Sequence, residues 1–120
     1  YKCYTFGATV ALVQVVQRTA REHARHRFHA PDWTPIDDPI NRHNPPAPPA
    51  APPAALADIV RGAAVLGAAC GTFMRIDFFA TDRGGIFNEF ATTPTNGLAF
   101  TPYADAWLGE LWSRLIPDRT

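Results

Sequence analysis

The segment Met74–Phe90 (MRIDFFATDRGGIFNEF) constrains the fold more than any other part of the chain. Two runs of aromatic and β-branched residues flank TDRGG, a turn signal, so the segment reads as a β-hairpin. The expected strands are residues 72–80 and 86–91, with residues 81–85 as the turn. Alternate residues of a strand share a face, so Arg75 and Asp77 point one way and Met74, Ile76 and Phe78 the other. On the returning strand Phe87 shares a face with Glu89. With the turn centred on Arg83, Asp77 and Glu89 lie equally far from it and become direct cross-strand neighbours, their Cβ atoms ~4.5–5.5 Å apart. Opposed like charges are destabilising unless compensated, and two readings are open. Either the pair lies on a solvated sheet face and binds nothing, or a cation compensates it. Mg²⁺ suits one or two carboxylates completed by phosphate oxygens and waters. Arg75 would flank such a site and could neutralise a phosphoryl oxygen. A register slip of one residue would separate the two carboxylates.

The rest of the chain supplies partners for this hairpin. Residues 2–6 and 9–16 are β-branched and aromatic around Gly7 and read as a second hairpin. Residues 24–30 read as a polar third strand, and 31–43, with Pro31, Pro35 and Pro39, as loop. Residues 44–53 (NPPAPPAAPP) are Pro/Ala low complexity, a polyproline or flexible stretch. An interdomain linker and a ligand for a proline-binding module are conceivable; a solvent-exposed insert in one domain is the expectation. Residues 54–70 have helical apolar spacing through Leu56, Ile59, Val60, Ala63 and Leu66, and Gly71 ends that helix. A final helix is expected over 103–116, with Thr101 as N-cap and Pro102 at its first position. The fold class is therefore α+β: one antiparallel sheet backed by two helices.

Composition narrows the function. The 120 residues suffice for one domain, and Lys plus Arg (11) balances Asp plus Glu (11), so no global basic excess favours nucleic acid. No apolar run reaches the ~18 residues of a membrane span. Cys3 and Cys70 lack CxxC spacing, which disfavours a disulfide framework or a zinc site and suits a reduced, cytoplasmic setting.

Taken together, several motifs resemble a known family. Arg75 and Asp77 on one strand, then Asn88, Glu89, Pro94 and Gly97, look like the C-terminal metal-binding hairpin of ATP-grasp enzymes. The closer resemblance is to the TupA-like ATP-grasp family of bacterial polysaccharide and teichuronopeptide biosynthesis. It is carried by YKCYTFG, ALVQV, an Arg/His-rich strand running into PDW, FMRIDFF, FNEF and PTNGLAFTP in that order. It covers nearly the whole chain except the Pro/Ala stretch.

The resemblance implies the C-terminal part of an ATP-grasp fold and ATP- and Mg²⁺-dependent ligation, in which a carboxylate is phosphorylated and an amine displaces the phosphate. It implies that Asp77 and Glu89 hold metal and nucleotide, and that Arg75 contacts the transferred phosphate. Lys2 becomes a phosphate or substrate candidate, with a solvated strand end as its alternative. Many members carry an Asn two residues after the glutamate, as a further metal ligand; this chain has Ala91, so either Thr92, Thr93 or Asn96 substitutes or a second metal is held poorly. Asn88 is ranked as support rather than ligand. The lobe bearing the phosphate-clamping lysines has no counterpart here, so these residues alone are not expected to form a competent ligase. A truncated, non-catalytic remnant or interaction module of the same fold is the competing reading.

Other constellations are weaker. His23, His26 and His29 would share a face on a helix but not on a strand, and Arg18, Arg21, Arg25 and Arg27 around them repel a divalent cation. That stretch reads better as a solvated strand, or as a basic face for an anionic sugar or polysaccharide precursor or for the ATP phosphates, with Arg18, Arg25 and Arg27 the residues to test. A nuclease-like site would want Lys where Ala91 stands. Gly84 and Gly85 lack a following GK[ST] and mark a turn, not a phosphate loop. Trp107 and Trp112 read as core.

Overall fold

The structure is a computed structural model that describes residues 1–17, 24–42, 46–92, 94 and 100–116. Five antiparallel strands form one sheet: β1 (Lys2–Phe6), β2 (Thr9–Gln17), β3 (Arg25–His29), β4 (Phe73–Thr81) and β5 (Gly84–Ala91). Their order is β3-β2-β1-β4-β5. Helices α1 (Leu56–Cys70) and α2 (Pro102–Leu115) complete the α+β fold, which is consistent with part of an ATP-grasp fold. Neither helix is long and apolar enough to cross a membrane.

Alternation along β1 explains why the helices take opposite faces of the sheet. Cys3 faces α1, in a cluster with Val13, Met74, Ile76 and Phe78 against Ile59 and Ala63. Tyr4 and Phe6 face α2, in a cluster with Leu12, Phe28 and Phe73 against Ala104, Leu108 and Leu111. Burial pushes the Cys3 thiol up to about 12, which leaves it protonated and inert. The α2 side is capped as the sequence predicts: Thr101 Oγ1 accepts from the Ala104 amide at 3.1 Å, with Pro102 at the first turn. Trp112 stacks on Phe73, ring centroids 5.4 Å apart, but is 45% exposed, so it covers the edge of the core and does not lie within it as the sequence suggests.

Two close approaches fix α1 on the sheet. Gly67 lies so near the β1–β2 turn that an added Cβ would sit 2.2 Å from the Gly7 carbonyl oxygen. At the other end of the helix Asp58 accepts from the Gly85 amide at 2.7 Å. That bond, with the Arg61 ion pair, holds the Asp58 carboxyl below its usual range. Gly84, at φ 101°, leaves no room for a side chain beside Asp58. The paired glycines thus serve a helix contact as well as a turn.

The Pro/Ala stretch exposes most of its described residues but is tethered to β3, more than an exposed insert requires. The Ala47 amide donates to the His26 carbonyl at 2.9 Å, and Arg27 Nη1 donates to the Ala47 carbonyl at 3.0 Å. Trp33 Nε1 donates to the Ala50 carbonyl at 3.0 Å while the Trp33 ring stacks on His29, centroids 3.8 Å apart.

The Gly67→Ala variant is expected to lose about 1–3 kcal/mol in urea unfolding, because backbone must move to admit the methyl. Gly109→Ala on α2, with open space around it, is expected to gain up to about 1 kcal/mol. A pH dependence follows from His29, whose Nδ1 is buried with no hydrogen-bond partner among the described residues. Burial, then the Arg27 charge, lowers its pKa from the ordinary 6.5. The folded state therefore favours the neutral ring, and the unfolded chain binds more protons. Stability should be full above pH 6.5 and fall as pH drops below it; His29→Phe should flatten that slope.

Candidate phosphate and metal site

The hairpin places Asp77 and Glu89 opposite one another as Cα partners. The turn itself is tighter than the sequence suggests. Only Asp82 and Arg83 lie outside the strands, so its centre falls between them rather than on Arg83. The pairs Thr81–Gly84 through Phe78–Phe87 follow that tighter turn. A β-bulge between Asp77 and Phe78 then shifts the register, with Asn88 as the extra residue of β5. From there Asp77–Glu89, Ile76–Phe90 and Arg75–Ala91 pair as the sequence argument requires.

A second strand brings Lys2 to the same place. β1 pairs with β4 so that Lys2 lies beside Asp77 and Tyr4 beside Arg75. Lys2, Asp77 and Glu89 therefore form one row across three strands, on the face that α2 partly covers. Ala91, the expected point of departure, lies opposite Arg75 and offers no donor. Asn88 is exposed at the bulge. Thr93, Asn96 and Gly97 lie outside the described residues.

Arg75 provides the charge compensation. Its Nε donates to Asp77 Oδ1 at 2.9 Å and its Nη2 to Asp77 Oδ2 at 3.0 Å. The same Nη2 lies 3.8 Å from Glu89 Oε1. The side chains of Asp77 and Arg75 are 5% and 13% exposed, so this is a buried, bidentate, charge-assisted pair. Glu89 is different: its side chain is 58% exposed and held by one long contact, which adds little to stability. The site thus has one fixed carboxylate, one open carboxylate and an arginine between them.

This donor set fits a hard cation that retains water or phosphate ligands. A carboxylate offers about four lone-pair sites, of which Arg75 occupies two on Asp77. No cluster of three or more His, Cys, Asp or Glu side chains suited to a metal occurs among the described residues. Among the described residues the contribution would therefore be two carboxylates, a set that suits Mg²⁺ completed by water or phosphate oxygens better than an all-protein cage.

The histidine stretch separates as strand geometry requires. His26 pairs with Val16 and His29 with Val13, so the two rings lie on opposite faces. Arg25 and Arg27 share the α1 face of β3, while Arg18, Arg21 and His23 lie outside the described residues. The 340 Å³ cavity lined by His26, Arg27, Phe28, Ile36 and Asp37 is at that edge, with β2 and β1 between it and the strand that carries Asp77.

Sequence reasoning missed Tyr4 and Gln14. Tyr4 is 4% and Gln14 3% exposed, and the Tyr4 hydroxyl donates to Gln14 Oε1 at 2.7 Å. The available signal was Gln14 itself, an amide inside the apolar run VALVQVV that a buried strand must pair.

In the comparisons with known proteins, the family model described as TupA-like ATPgrasp matches residues 1–113. Neither a curated protein nor a solved structure matches the chain.

Removing Arg75 would leave Asp77 buried without its counter-charge. Arg75→Ala is expected to cost about 3–5 kcal/mol in chemical denaturation. Adding Asp77→Asn to that variant should restore part of the loss; strictly additive losses would show that the two groups are not coupled.

Proposed function

The chain belongs to the TupA-like ATP-grasp family, and on that premise we propose that it forms the phosphate end of an ATP- and Mg²⁺-dependent carboxylate–amine ligase of bacterial surface polysaccharide synthesis. Family membership supports a nucleotide-binding ATP-grasp fold. The observation that carries the finer reading is the direct opposition of Asp77 and Glu89 with Arg75 Nη2 between them.

Each residue has a role that its surroundings suit. Asp77 and Glu89 would hold Mg²⁺, which supplies neutralisation of phosphate charge when bound. Asp77 is oriented by its burial and by Arg75, so its oxygens stand at a fixed place on the sheet. Glu89 is open enough to adjust to the bound group. Arg75 holds positive charge at the same spot and is the group that faces a phosphoryl oxygen, where preorganised charge is worth most. Lys2, beside Asp77 on β1, adds a second cation on that face. Asn96 is the candidate to complete the nucleotide contacts in place of the residue that Ala91 lacks.

The substrates of this reading are a small-molecule carboxylate and an amine. An anionic sugar or polysaccharide precursor is the preferred class; Arg25 and Arg27, on the opposite face of the far edge strand, are too remote to contact a group reacting at Asp77. Use of ATP puts the reaction in the cytoplasm.

Titration of Mg²⁺-ATP into the full-length protein tests the proposal. Glu89→Gln removes a ligand charge from an exposed position, so folding should survive. Magnesium-dependent nucleotide affinity should fall about 10–100-fold. Unchanged binding and turnover in this variant would remove Glu89 from the site.

A further inference from the structure

Residues 36–41 and 46–47 have no part in the candidate site, yet they meet at the outer edge of β3 and enclose the 340 Å³ cavity there. Their main chains are pinned. The Ile36 amide donates to the Phe28 carbonyl at 3.0 Å, the Thr101 amide to the Ile40 carbonyl at 3.0 Å and the Ala47 amide to the His26 carbonyl at 2.9 Å. Thr101 Oγ1 donates to the Pro39 carbonyl, and Pro39 and Pro46 each fix one backbone angle of the wall. The cavity is therefore preformed, and its volume falls within the ~300–1,000 Å³ of small-molecule sites. It lies on the same face of the sheet as Asp77. Phe28 pairs with Gln14, Gln14 with Lys2 and Lys2 with Asp77, in one row of Cα partners. At ~4.8 Å per strand, Phe28 is about 14–15 Å from Asp77, so a molecule in the cavity sits beside the candidate phosphate site and outside it.

The lining sets the class of ligand. Phe28 and Ile40 are buried and Ile36 is half-buried, which gives an apolar wall, while Asp37 and Asp38 are exposed and add two carboxylates. Neither aspartate forms an ion pair with a described residue. His26 does not offset their charge. The Tyr4 hydroxyl donates to Gln14 Oε1, which leaves Gln14 Nε2 to donate to His26 Nδ1. A ring nitrogen that accepts carries no proton, so this imidazole is neutral. Arg27 belongs by strand parity to the other face, and its Nη1 donates to the Ala47 carbonyl. A divalent cation suits the cavity poorly, because it wants more oxygen ligands than two adjacent aspartates supply, and no larger group of metal-binding side chains occurs among the described residues. An ammonium suits it well, being a compact charge with three donors to share between carboxylates. We propose that this cavity is a binding site for a small organic amine in its protonated form. Its ammonium meets Asp37 and Asp38, and its body, of about five or six carbons, lies against Phe28, Ile36 and Ile40. The site stands on these residues alone and does not depend on the ligase reading.

The test follows backbone amide resonances of the full-length protein during titration with two matched pairs of probes. Cadaverine and glutarate have equal length and opposite charge; glucosamine and glucuronate are the corresponding sugars. At least one cationic probe should shift the amides of Phe28, Ile36 and Asn41 with a Kd of about 1–10 mM, and its anionic counterpart should bind at least about 10-fold more weakly. The tighter of the two cations tells an aliphatic body from a sugar. Asp37→Asn/Asp38→Asn changes exposed positions, so folding should survive, and the preference for the cation should disappear. Glu89→Gln, three strands away, should leave the titration unchanged. No shift at these amides with either cation, equal or tighter binding of the anions, or a cation preference that persists in Asp37→Asn/Asp38→Asn would overturn the proposal.

Discussion

The two-sided burial of β1 is the constraint on which the rest of the structure depends. Cys3, Tyr4, Thr5 and Phe6 are each at most 4% exposed although they alternate between faces. A five-residue strand with no solvent side must be central, with a partner on each edge and a helix over each face. β2 and β4 are those partners, and α1 and α2 are those covers. The arrangement also sets the site. Only the Lys2 end of the strand emerges from the core, and the β1–β4 register brings Asp77 beside it. The candidate site is confined to one end of one face because the remainder of that face lies under α2.

At that end, electrostatics and packing make complementary demands. Asp77 is buried enough that a missing counter-charge would be costly, and Arg75 supplies two parallel bonds. Glu89, on the edge strand, has water as an alternative partner. Arg75 therefore belongs to Asp77 and is shared with Glu89. A divalent cation entering this set would meet one carboxylate already desolvated and oriented and another free to follow it. Such a division limits reorganisation on binding to one exposed side chain, Lys2 being already in the row.

The sequence allowed the local part of this to be read. Parity within the RIDFF strand, the capping of α2 by Thr101 and the αL glycine after α1 are properties of neighbours a few residues apart. The parity expected of FNEF fails: the bulge at Asn88 turns Phe87, the partner of Phe78, to the α1 face and Glu89, the partner of Asp77, to the other. The opposition of Asp77 and Glu89 was also legible, but through two offsetting details. The turn has two residues, which alone would have put Asp77 opposite Asn88, and the bulge at Asn88 restores the expected pair. The non-local part was not legible. Nothing in YKCYTFG says that it pairs with β4 as well as β2. Consequently neither the position of Lys2 beside Asp77 nor the pairing of Tyr4 with Arg75 could be derived. The tether of Ala47 to β3 was hidden for a different reason: a Pro/Ala stretch has no side-chain pattern, and its carbonyls become informative only once Arg27 and Trp33 are placed.

The bulge has a physical consequence beyond register. It divides the hairpin into two halves with different environments. On the turn side the hairpin is bound to α1 through Asp58 and the close approach of Gly85 to Ile59. On the far side Arg75 and Asp77 lie over the other core, while every β5 residue is at least partly exposed. Without the extra residue, the register that suits Gly84 and Gly85 against α1 would put Glu89 out of line with Asp77. A bulge re-aims the strand where pairing must serve two purposes. Here the helix contact fixes one half of β5, and the inserted Asn88 lets the other half present Glu89 to Asp77 without disturbing it. The position of Glu89 is thus a consequence of α1 packing and one inserted residue, as much as of the hairpin sequence itself.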